Sequence, residues 1–124
     1  MNKQHFRNFD LFTFSYPFTS IVSILHRLSG IFLFLLIPFL LWMLETATES
    51  SDGFAHIQTA VTHPVAKVIL WLFLVAFWYH LLAGIRHLLM DIGIGESLKS
   101  ARISGGITMA LTLLTALFIG VWLW

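Results

Sequence analysis

His80, Gly84, His87 and Asp91 follow one another at offsets of 4, 7 and 11 from the first, near the end of a long apolar run. At about 100° per residue this spacing puts all four on one face of a helix. Ionisable groups inside a hydrophobic segment are costly, so a cluster of them marks a functional site by default. Imidazole is the commonest metal-ligating side chain, and a glycine one turn away leaves room for something flat and bulky against the helix. The face reads as a haem-binding surface. His80 is the better candidate for the iron, because it lies about two turns deeper than Arg86 and Asp91, in apolar surroundings that suit a neutral, metal-binding imidazole. His87, between Arg86 and Asp91 at a depth that water reaches, is placed to tune the site or to conduct protons.

A second run, Ser23-Ile24-Leu25-His26-Arg27-Leu28-Ser29-Gly30, brings Ser23, His26, Arg27 and Gly30 to one helix face at offsets of 3, 4 and 7. A hydroxyl, an imidazole and a permanently charged guanidinium together hydrogen-bond carbonyl or carboxylate oxygens. Such a group suits a quinone carbonyl, or the propionates of a haem whose iron sits deeper, near His80. Spacing leaves plainer alternatives open. His80 can be an intramembrane histidine bonded to a neighbouring helix, Arg27 and Arg86 can snorkel to headgroups as topology markers, Ser23 can bond back to its own helix, and Gly30 and Gly84 can serve packing alone.

The elements that must hold these residues are membrane spans. The 124 residues are 58% hydrophobic and 10% charged, with a mean hydropathy of +0.87, outside the range of a soluble domain. An all-α fold is predicted, a single transmembrane anchor domain over 1–124 with a lead of residues 1–18 and three transmembrane helices over about 19–44, 65–90 and 103–124. The lead spaces Phe6, Phe9, Phe12, Phe14 and Tyr16 among charges, as in a segment at headgroup level, and Ser15-Tyr16-Pro17 reads as a helix start. Pro38 falls inside the first span and is expected to kink it. Residues 45–64 read as a polar Ser/Thr-rich connector with Asp52-Gly53 as a turn, residues 91–100 as a short loop, and Trp122 and Trp124 as an interfacial belt.

Lys3, Arg7 and Arg27 precede the bulk of the first span, and Arg86, Lys99 and Arg102 surround the second loop, whereas the first connector carries Glu45, Glu49 and Asp52. The positive-inside rule puts the amino terminus and second loop in the cytoplasm and the carboxyl terminus outside, so both motif-bearing ends fall on the cytoplasmic side. No cleavable secretory signal is expected at the amino terminus. The absence of cysteine excludes disulfides and iron–sulfur ligation by this chain. A net charge of +1 with scattered basic residues argues against nucleic-acid binding, and the lack of inverted repeats or paired broken helices argues against transport.

The two motifs together, in this order and some fifty residues apart, resemble the cytochrome b large membrane-anchor subunit of succinate dehydrogenase (succinate:quinone oxidoreductase, respiratory complex II). The resemblance implies that His80 is one axial ligand of haem b, that Ser23 and Arg27 contact ubiquinone, that His26 and Arg27 lie near the haem propionates, and that Asp91 lies near the quinone. It further implies half of a heterodimeric haem-binding bundle, with the second axial histidine on a smaller partner anchor. That fits the expectation that no second histidine of this chain lies at a comparable depth. Iron–sulfur and flavoprotein subunits would dock on the cytoplasmic side of a bacterial inner membrane, with no catalytic residue on this chain itself. The alternatives are a quinol:fumarate reductase anchor and a purely structural tether.

Overall fold

The computed structural model describes residues 17–124. The aromatic lead and the Ser15 cap lie outside the described residues. Four helices follow in order: α1 (Pro17–Glu49), α2 (Ser51–Val61), α3 (Pro64–Asp91) and α4 (Leu98–Leu123). α1, α3 and α4 are each long and apolar enough to cross a membrane. At 33 residues, α1 runs for roughly 50 Å, beyond the ~30 Å hydrocarbon thickness, so its polar last turns project past the apolar layer. Pro38 lies inside it without ending it.

The stretch read as a connector is helical. α1 continues through Thr46 and Thr48 to Glu49, and α2 begins at once, capped by the Ser50 hydroxyl, which accepts from the Gly53 amide at 3.0 Å. Asp52 in the first turn favours the positive end of that helix. Gly53 is a contact point, not a loop: a Cβ there would collide with the Thr46 carbonyl. The threonines that suggested a loop satisfy themselves within helices, Thr48, Thr59 and Thr62 each donating to a carbonyl three or four residues back. His63 caps α3, accepting from the Val65 amide, with Pro64 in the first turn.

α3 ends in a Schellman motif: Gly93 at φ +85° donates to Met90, and the Ile94 amide reaches back to Leu89. Gly95 at φ +75° then turns the chain into α4, which Ser97 caps. α3 and α4 run antiparallel and are tied along their length. Lys67 donates to the Leu123 carbonyl and Trp71 to that of Ala116, both at 2.8 Å. At the other end Arg86, only 6% exposed, donates from Nε to the Ser104 hydroxyl and from Nη2 to the Ala101 carbonyl, both at 3.0 Å. Arg86 is therefore a tie between helices; the snorkelling alternative is overturned, because its donors find partners on α4 before they reach the surface.

Small residues bring α4 close. Ala101, Gly105, Thr108 and Ala116 are its buried positions, and a Cβ on Gly105 would lie 3.1 Å from Phe18 and 3.5 Å from Val22 of α1. α1 and α3 are pinned by the buried Tyr79 phenol, which donates to the Val22 carbonyl at 2.7 Å. The remaining apolar surface points outward: Phe34 is 71% and Val121 83% exposed. In a membrane that exterior meets lipid tails or partner helices.

Candidate functional site

The helix faces picked out by spacing meet where the amino-terminal half of α1 crosses the carboxyl-terminal half of α3. His26 lies against three residues of the α3 face. Its ring stacks on that of His80, with centroids 4.2 Å apart and planes 13° from parallel. It approaches His87 at 5.0 Å with the planes tilted by 47°, and a Cβ on Gly84 would lie 3.4 Å from its Nε2. His26 thus occupies the gap above Gly84, between the two α3 histidines. This corrects the depth expectation: a second histidine of this chain does lie level with His80. Depth counted along each helix separately misses it, because the absence of a side chain at position 84 lets the His26 ring lean across.

His80 is held by α1. Its Nδ1 lies 3.0 Å from the Ser29 hydroxyl oxygen and 3.1 Å from the His26 carbonyl, while the Ser29 hydroxyl itself donates to that carbonyl at 2.7 Å. With the hydroxyl proton committed, two oxygen lone pairs face Nδ1, so Nδ1 carries the hydrogen and Nε2 keeps its lone pair. Gly30 makes room for the ring, since a Cβ there would stand 2.9 Å from His80 Cε1. Nε2 makes no hydrogen bond among the described residues. An imidazole anchored through one nitrogen, with the other left as a free base, is the arrangement of a metal ligand.

Haem fits this site on three observations. His80 offers a lone pair in a fixed tautomer. Gly30 provides a cradle that a methyl group would fill. His26 Nε2 is a buried polar atom without a hydrogen-bond partner among the described residues, and an atom of that kind calls for a partner. The two stacked imidazoles cannot both ligate one iron, because face-to-face rings aim their in-plane lone pairs side by side and not at a common point between them. No three His, Cys, Asp or Glu side chains converge among the described residues, so these form no closed metal-ion cage.

The rim is polar and open. Arg27 and Asp91 are exposed, and with Arg86 they act electrostatically on His87. Ser23 is half-buried and makes no side-chain hydrogen bond among the described residues, which sets aside the back-bonded alternative and leaves the hydroxyl available. Ser29 lies within the first motif, where spacing alone assigns it no role. The signal was there at His26 plus three, but its partner lies 51 residues away. Tyr79, Lys67 and Trp71 were missed as ties between helices for the same reason.

A model of the succinate dehydrogenase/fumarate reductase transmembrane subunit matches residues 1–119. The chain belongs to this family. It is 39% identical to the succinate dehydrogenase cytochrome b556 subunit of Coxiella burnetii over the whole of both chains. The corresponding subunit of Paracoccus denitrificans is 34% identical over 83% of this chain and 84% of its own, and that of Rickettsia prowazekii is 34% identical over 83% and 80%. As a member of the succinate dehydrogenase/fumarate reductase family the chain is a membrane-anchor subunit of the cytochrome b type. The residues that meet at the α1–α3 crossing are those of its two motifs.

Proposed function

We propose that this chain binds haem b through His80 and ubiquinone through Ser23 and Arg27, so that electrons leaving an iron–sulfur partner subunit reach quinone at the cytoplasmic mouth of the anchor. The observation that carries this reading is the fixed His80 imidazole: anchored at Nδ1 by α1, stacked on His26, free at Nε2. Haem, when bound, supplies one-electron chemistry. This chain supplies position and field. His26 and Arg27 would hydrogen-bond the propionates, a reading supported for His26 by its unpartnered Nε2. Ser23 and Arg27 orient a quinone carbonyl, and the guanidinium offsets negative charge as the ring is reduced in low-dielectric surroundings. Protons are taken from the cytoplasm, with His26, His87 and Asp91 along the polar face as carriers.

A smaller partner anchor would complete the hold on the haem, since His26, stacked on His80, is not oriented to share the iron with it. Flavoprotein and iron–sulfur subunits dock over the open rim, on the cytoplasmic face of a bacterial inner membrane. Succinate oxidation takes place in the flavoprotein partner. The names of the relatives favour succinate oxidation over the fumarate-reducing direction. The test is a reduced-minus-oxidised spectrum of the purified complex. His80→Ala abolishes or shifts the haem bands; an unaltered spectrum refutes His80 as the haem ligand, and a purely structural tether predicts no Soret band at all.

A further inference from the structure

We propose that Ser29 is a positioning residue for His80: its hydroxyl accepts the Nδ1 hydrogen and thereby fixes which imidazole nitrogen faces the iron and how strongly it donates. The inference rests on the reading of His80 as the haem ligand. Ser29 is 8% exposed, shielded from water that would otherwise compete for the same hydrogen. Its own proton goes to the His26 carbonyl at 2.7 Å, so its oxygen is turned toward Nδ1 at 3.0 Å as an acceptor. The His26 carbonyl, 3.1 Å from Nδ1, is the second acceptor of the same hydrogen. Ser29 and the backbone of His26 therefore form a two-oxygen seat, and Gly30, the next residue, removes the Cβ that would push the ring out of it. No other described side chain bonds to this imidazole. The arrangement matches a general pattern in which the non-ligating nitrogen of a metal-bound histidine donates to an oxygen. Losing that partner costs about 10- to 100-fold in affinity and weakens donation to the metal.

Weaker donation stabilises ferric iron less, so the haem of a Ser29→Ala complex has a higher reduction potential than wild type. The experiment purifies the complete complex carrying Ser29→Ala, Ser29→Thr or His80→Ala and measures haem content, the haem midpoint by redox titration, and the ferric electron paramagnetic resonance g-values, which report ligand orientation. Ser29→Ala is expected to raise the midpoint, shift the largest g-value and lower haem retention, and Ser29→Thr, which keeps the hydroxyl, to restore all three. Wild-type midpoint and g-values in Ser29→Ala overturn the proposal, as does a Ser29→Thr complex that behaves like the alanine variant. If Ser29→Ala does not assemble, Ser29→Cys keeps the volume with a poor acceptor, and the same two signals decide. Loss of haem in His80→Ala beside an unperturbed Ser29→Ala refutes the role of Ser29 alone, whereas an unperturbed His80→Ala refutes the haem reading beneath it.

Discussion

Arg27 and Arg86 are both arginines near the same polar end of the helix bundle, and the structure gives them opposite lives. Arg86 spends its donors on α4, while Arg27 stays exposed at the rim beside the site. Of the two, only Arg27 is exposed, as the proposed contact with quinone requires. Arg27→Leu is expected to lower quinone reductase activity roughly 10- to 100-fold, the worth of a hydrogen bond from a charged donor, while succinate oxidation with a soluble artificial acceptor stays near wild type. Equal loss of both activities would assign Arg27 to assembly. The helical period made His80, Gly84 and His87 legible as one face, and His26 and Gly30 as another. It did not reveal that Ser29 supports His80 or that His26 stacks on it, because a residue count along one helix says nothing about how the neighbouring helix is rotated.

At the scale of elements, α4 shows most clearly what hydropathy hides. Its apolar composition marks a span, but what places it is a stripe of small residues, and two adjacent glycines on it differ sharply. A Cβ at Gly105 meets Phe18 at 3.1 Å, whereas one at Gly106 meets nothing within 4 Å. Gly105→Val is therefore expected to wedge α1 from α4 at a cost of about 1–3 kcal/mol, seen as a lower thermal midpoint of the detergent-solubilised complex. Gly106→Val leaves that midpoint nearly unchanged; equal falls would remove the wedge argument. The three long helices were legible from length and composition, and the polar ends of α1 and α3 were expected on the same side. α2 was not legible, because Ser and Thr compete with the backbone in loops as readily as they bond back within a helix, and Asp52-Gly53 has the composition of a turn.

At the scale of the whole molecule the positive-inside rule predicts an orientation that can be measured without interference, since the chain has no cysteine of its own. Gln58 on α2 and Glu96 in the α3–α4 loop are both exposed. A membrane-impermeant thiol reagent added to intact spheroplasts is expected to label a Gln58→Cys chain and to reach a Glu96→Cys chain only in inverted vesicles; the reverse pattern would invert the topology and move the proposed quinone site to the other face. The thin interior carries one more consequence. Beyond the few enclosed positions, Val22, Ser29, Tyr79, Ala83, Arg86 and the small residues of α4, whatever part of the outward face meets lipid and not a partner helix can be rewritten among leucine, isoleucine, valine and phenylalanine at little cost, because lipid tails do not distinguish them. A library that randomises outward apolar positions within that alphabet would return many working anchors at lipid-facing positions and few where a partner helix packs, and one aimed at the inner strip would also return few.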